Sequence, residues 1–226
     1  MIPTYLLVSE KIWHNQLYEN LSANEKYNWV LITDKNFFTL ESLDEIRPQK
    51  IFIPHWSYII PSNIYEKYEC IVFHMTDLPY GRGGSPLQNL IIRGKKNTKI
   101  SAIRVVKELD AGDIYLKRDL SLDGTAKDIF LRCVPIIEEM INTIIDDNLK
   151  PTPQNGDPVV FKRRKSIESD IANLLTIGEI YDYIRMLDCE GYPPAFIETK
   201  HFTIEFRNAE VINEKQINAH VRIFQK

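Results

Sequence analysis

The chain has 226 residues, 44% of them hydrophobic and 26% charged, with a net charge of −3. That is enough apolar material for one ordinary domain plus an appendage, and the charge gives no electrostatic footprint for nucleic acid. No apolar run approaches the roughly 18 residues of a membrane span, no basic-then-apolar leader opens the chain, and Cys70, Cys133 and Cys189 lie far apart with no Cys-x-x-Cys spacing, so reduced thiols in a cytoplasmic protein are expected.

In chain order, Tyr5–Ser9, Trp29–Thr33, Lys50–Pro54 and Cys70–His74 are short apolar runs, the pattern of buried parallel strands. Helix-length polar stretches lie between them, at Lys11–Ser22 and Ser62–Tyr68. A Pro-Tyr-Gly-Arg-Gly-Gly loop follows His74 and leads to a helix start at Ser85-Pro86. Ile114 to Leu122 alternates apolar and polar residues, which suits a half-exposed strand near a sheet edge. Thr125 caps a long helix to about Asp147, with Asp128 favouring its dipole. PTPQNGDP, Pro151–Pro158, reads as a linker; Thr176 and Glu179 form a capping box for a helix ending near Asp188; GYPPAF, Gly191–Phe196, reads as a rigid turn. Short antiparallel strands are expected at Phe202–Phe206 and His220–Phe224. The fold class is therefore α/β: a Rossmann-like, mostly parallel sheet flanked by helices, with a small C-terminal α+β module. The domain expectation is a catalytic domain over 1–150, a linker over 151–165 and a helix-and-strand module over 166–226.

Two segments carry chemistry. His74 ends an apolar strand beside a glycine loop, and Asp110 precedes the small-residue turn Ala111-Gly112. A histidine and a carboxylate so placed suit acid–base work in an open α/β sheet. Gly81, Gly83 and Gly84 with Arg82 suit either a phosphate cradle or a tight turn with a structural arginine.

These residues resemble the N10-formyltetrahydrofolate-dependent formyltransferases, whose signature Asn-x-His-x-Ser-Leu-Leu-Pro-x-x-Arg-Gly is followed some thirty-odd residues later by Asp-x-Gly. His74, Leu78-Pro79, Arg82-Gly83 and Asp110-Ala111-Gly112 match it and Thr76 sits at the serine; the downstream segments also appear, as Phe161–Lys165, Ile184-Arg185 and Tyr192–Phe196. The asparagine falls at Val72, and Asp77 replaces a leucine. The resemblance implies a formyltransferase with N10-formyltetrahydrofolate as co-substrate and no metal. It places His74, Asp110 and Thr76 in catalysis. His55, Trp56, Ser57, Tyr58, Leu109, Ala111, Gly112 and Asp113 would meet the folate. Asp77, Tyr80, Gly81, Arg82, Gly83, Gly84, Arg163 and Lys165 would meet the acceptor. With Val72 offering no donor, the oxyanion would be held by charged His74, the Thr76 hydroxyl or backbone N–H groups of the loop.

Within the family, HMTDLPYGRGG looks most like sugar-nucleotide N-formyltransferases of pseudaminic acid biosynthesis. The expected acceptor is a nucleotide-linked amino sugar, a UDP-4-amino-4,6-dideoxy sugar, with no nucleic acid and no membrane partner. The alternatives are a glycinamide-ribonucleotide- or tRNA-type formyltransferase, or a catalytically degenerate nucleotide-sugar or folate binder. Phe196, Ile204, Phe206, Val211, Ile217, Val221 and Phe224 need covering, and a homodimer is expected.

Overall fold

The structure is a computed structural model that describes residues 2–226. Eleven strands and six α-helices are assigned among them. In chain order they are β1 (Thr4–Ser9), α1 (Asn15–Ser22), β2 (Asn28–Ile32), α2 (Leu40–Ile46), β3 (Lys50–His55), α3 (Ser62–Tyr65), β4 (Cys70–His74), β5 (Tyr80–Gly83), α4 (Pro86–Ile91), β6 (Asn97–Arg104), β7 (Ile114–Ser121), α5 (Ala126–Asp146), β8 (Val159–Phe161), α6 (Ile177–Arg185), β9 (Ala195–Glu198), β10 (Phe202–Asn213) and β11 (Gln216–Gln225). The chain forms two compact units: Met1–Arg82, Lys99–Leu120 and Arg132–Val160 make the first, and Gly83–Thr98, Ser121–Leu131 and Phe161–Lys226 the second.

The main sheet runs β2-β1-β3-β4-β6-β7. β1 pairs in parallel with β2 and β3, and β3 in parallel with β4. β4 meets β6 antiparallel, with His74 opposite Ser101. The central strands are apolar on both faces, as a sheet covered on both sides requires; Leu6, Leu7, Ile51, Phe52 and Ile71 have no exposed surface. Full burial of each such side chain contributes about 1.5–3 kcal/mol. This is the mostly parallel, Rossmann-like architecture the alternating pattern implies.

Four further elements escape the sequence pattern, α2, β5, β6 and β8, and the helix expected over Lys11–Ser22 opens as a 3-10 turn at Ile12–His14 before α1 begins. Thr39 caps α2 by accepting the Ser42 N–H at 3.3 Å. Cys70, Cys133 and Cys189 are free and buried, and burial pushes the first two thiols up to about 12.

In the second unit, α6 has the anticipated capping box: Thr176 Oγ1 accepts from the Glu179 N–H at 3.2 Å, and Glu179 Oε2 accepts from the Thr176 N–H at 2.9 Å. Arg185, 3% exposed, is buried with its charge paired and hydrogen-bonded. It donates to Asp182 at 2.6 Å and to the carbonyls of Leu122 and Gly124 at 2.7 and 2.9 Å. The strands expected to be short are long: β10 has 12 residues and β11 has 10, joined antiparallel with β9 on the far side of β10. Ala195 and Phe196, read as turn residues, begin β9. Val221, Ile223 and Phe224 of the hairpin remain exposed. No helix among the described residues is long and apolar enough to cross a membrane.

Candidate active site

The site is built at the end of β4. Ile53 of β3 stands beside Val72 of β4, so His55 and His74 lie two residues further along adjacent parallel strands, at the same sheet edge. Val72 and His74 share a strand face by the two-residue period. The Val72 side chain packs at the margin of the core cluster that holds Phe38 and Ile53, so the position that resembles the family's asparagine is spent on packing.

After His74 the chain turns through a cis Leu78–Pro79 peptide into β5. Gly81, at a φ of 84°, adopts the left-handed conformation a side chain resists. Its carbonyl accepts from His74 Nε2 at 2.7 Å and from Thr76 Oγ1 at 3.3 Å. A carbonyl oxygen cannot donate, so Nε2 carries the proton and Nδ1 is the nitrogen left to face Asp110. Nδ1 lies 3.6 Å from Asp110 Oδ2, with side chains only 9% and 12% exposed. Thr76 is fully buried, and its own carbonyl accepts from Ser101 Oγ at 2.7 Å. It therefore holds the loop rather than facing an open crevice.

Asp110 sits in the turn between β6 and β7 at a φ of 53°, a conformation unusual outside glycine. A Cβ on Gly112 would lie 1.7 Å from the Arg104 carbonyl oxygen, so only glycine fits there. Asp113 closes the turn by accepting the Arg104 N–H at 2.9 Å. Ala111 is half-buried within it, and Leu109 is exposed.

Arg82 donates from Nε and Nη2 to Gln154 Oε1, at 3.0 and 2.7 Å. Gln154 Nε2 donates in turn to the carbonyls of Asp110 and Gly112, both at 2.8 Å. The structure thus brings together His74, Asp110, Thr76, Gly81, Arg82, Ala111 and Gly112. It adds Gln154, which the sequence hid in a Pro- and Gly-framed stretch that reads as a linker. Tyr80 is half-buried on β5.

Other candidate residues have different partners. Asp77 is exposed and pairs with Lys117 Nζ at 2.5 Å. Trp56 packs edge-on against Phe38 and Tyr58, with ring centroids 6.0 and 5.2 Å apart. Ser57 donates to Glu10 at 2.8 Å, and Lys35 lies 4.8 Å over the Tyr58 ring. His55 meets Trp13 edge-on at 5.9 Å, and burial, then Lys11, lowers its pKa to about 4. Gly83, Gly84, Arg163 and Lys165 belong to the second unit. A Cβ on Gly83 would lie 2.4 Å from the Phe161 carbonyl oxygen, and one on Gly84 would lie 2.6 Å from Arg163 Cβ. Close packing accounts for both glycines. The Arg163 and Lys165 side chains are exposed. Among the described residues, no group of three or more His, Cys, Asp or Glu could hold a metal ion.

Comparison with known proteins places this geometry in context. A solved methionyl-tRNA formyltransferase from Clostridium thermocellum is 46% identical, with a TM-score of 0.96, over 99% of this chain and 100% of that one. A methionyl-tRNA formyltransferase of Rickettsia canadensis (strain McKiel) is 32% identical over 192 residues, 80% of this chain and 61% of the relative. The chain thus spans about 61% of the length of the curated relatives it first matches. Residues 166–224 match the family described as methionyl-tRNA formyltransferase, C-terminal domain. A sugar N-formyltransferase from Shewanella sp FDAARGOS_354 shares the fold, with a TM-score of 0.73, but only 15% identity, over 94% of this chain and 100% of that one.

These likenesses correct two expectations. The acceptor read from the sequence, a nucleotide-linked amino sugar, is overturned by the 46% identity to a tRNA-type enzyme against 15% to a sugar-type one. The exclusion of nucleic acid falls with it. Its physical basis was a net charge of −3 averaged over the whole chain, whereas contact with phosphates depends on local clusters such as Lys162–Lys165.

Proposed function

The chain belongs to the methionyl-tRNA formyltransferase family, and we propose that it transfers a formyl group from N10-formyltetrahydrofolate to the amino group of methionyl-tRNA. Formyltransferases take their one-carbon unit from N10-formyltetrahydrofolate, which supplies a formyl carbon on a departing nitrogen. The observation that carries the reading is the largely buried His74–Asp110 pair, 3.6 Å apart, with the His74 Nε2 proton pinned on Gly81.

Attack by a neutral amine leaves a surplus proton on nitrogen and a negative charge on oxygen. The residues present fit both needs. Asp110 takes the amine proton and passes it to His74 Nδ1, the imidazole nitrogen that carries no proton while Nε2–H is held by Gly81. The resulting imidazolium stabilises the oxygen and later returns a proton to the departing nitrogen. Val72 offers no donor, so His74 carries a load that an asparagine would share.

The test is transfer of label from N10-[14C]formyltetrahydrofolate into acid-precipitable methionyl-tRNA. His74→Asn and Asp110→Asn should each lower kcat by about 10²-fold or more while the protein stays folded, the scale of a positioned acid–base group. Near-normal turnover in either variant would remove that residue from the mechanism.

A further inference from the structure

We propose that Gln154 is a positioning residue that sets the geometry of the His74–Asp110 pair by tying together the two segments that flank the imidazole. The inference rests on the formyltransferase reading of the same site, and it assigns a role to a side chain that neither the motif nor the family match singles out.

His74 is held between two pieces of chain. On one side the Gly81 carbonyl accepts from Nε2 at 2.7 Å; on the other Asp110 approaches Nδ1 at 3.6 Å. Gln154 grips both pieces. Its Oε1 accepts two N–H groups of Arg82, the residue next to Gly81, and its Nε2 donates to the carbonyls of Asp110 and Gly112. An amide has two acceptor positions and two donor hydrogens, and all four are used. The orientation of the amide is unambiguous, because guanidinium only donates and backbone carbonyls only accept.

The side chain comes from a pinned strand of chain. Thr152 exchanges backbone hydrogen bonds with Ile114 at 2.8 and 2.9 Å, and the Val159 N–H donates to Pro79 at 3.2 Å. Gln154 is half-buried between these anchors. Asp110 itself holds a left-handed φ of 53°, which persists only where the surroundings enforce it. The two donor bonds to Asp110 and Gly112 contribute to that enforcement. Relaxing them lets the carboxylate drift from Nδ1, and a displacement of about 1 Å at reacting groups costs about 10²-fold.

Gln154→Met keeps length and neutrality but removes all four bonds. Gln154→Glu keeps the acceptor for Arg82 and removes the donor to the turn. Both variants are read in the methionyl-tRNA assay and, independently of any substrate, by the ¹⁵N resonances and titration of the His74 imidazole. Gln154→Met should lower kcat about 10²-fold with KM within about threefold, shift the pH profile, and move the His74 titration; Gln154→Glu should not restore kcat. A folded Gln154→Met protein with an unchanged His74 titration and pH profile would overturn the proposal. So would full activity in Gln154→Glu. If the wild-type protein formylates no methionyl-tRNA, the functional reading fails, while the imidazole titration still decides the role of Gln154.

Discussion

At the residue scale, His14 and His55 show how burial writes a pH dependence into the fold. His14 is 3% exposed, with Nδ1 2.7 Å from Ser9 Oγ. Burial, then His55 and Lys11, lowers its pKa from 6.5 to about 3, and burial, then Lys11, lowers that of His55 from 6.5 to about 4. Both are neutral when folded but take up a proton when unfolded below pH 6.5. Stability is therefore full above that pH and falls as the pH drops toward the folded values. Each histidine contributes a slope of about 1.4 kcal/mol per pH unit. Between pH 6.5 and 5, above the main titration of carboxylates, Tm should fall in the wild-type protein, and His14→Gln should flatten the fall. An equal slope in both proteins would show that His14 is not the group responsible.

At the element scale, the parallel core strands and the long α5 were legible because apolar runs and helix caps leave strong local signals. The short α2, LESLDEI, is too brief for its period to stand out, and β6, NTKISAIR, mixes charged and small residues that no composition rule selects. The His-and-Asp pair was legible from its motif. Gln154 was not, because its partners lie 72, 44 and 42 residues away and only the folded chain brings them together. Thr76 was legible as a motif residue, but its burial and its bond to Gly81 are visible only in three dimensions. Gly112 joins the element scale to the site: a Cβ there would lie 1.7 Å from the Arg104 carbonyl oxygen, forcing β6 from the following turn. Gly112→Ala should cost ~1–3 kcal/mol in urea unfolding, the scale of overpacking, and should depress turnover by displacing Asp110. Unchanged stability would mean the turn yields without cost.

At the scale of the whole molecule, a charge of −3 describes the chain but not its surface. Lys162, Arg163 and Lys165 are exposed together in the second unit, whose residues 166–224 match the C-terminal domain of methionyl-tRNA formyltransferases. The most direct test offers methionyl-tRNA and a UDP-linked 4-amino-4,6-dideoxy sugar together, at equal concentration, with N10-[14C]formyltetrahydrofolate, and measures how the label divides. The label should enter methionyl-tRNA, and the amino sugar should stay unlabelled. Label in the amino sugar, or in neither acceptor, would contradict the proposed function.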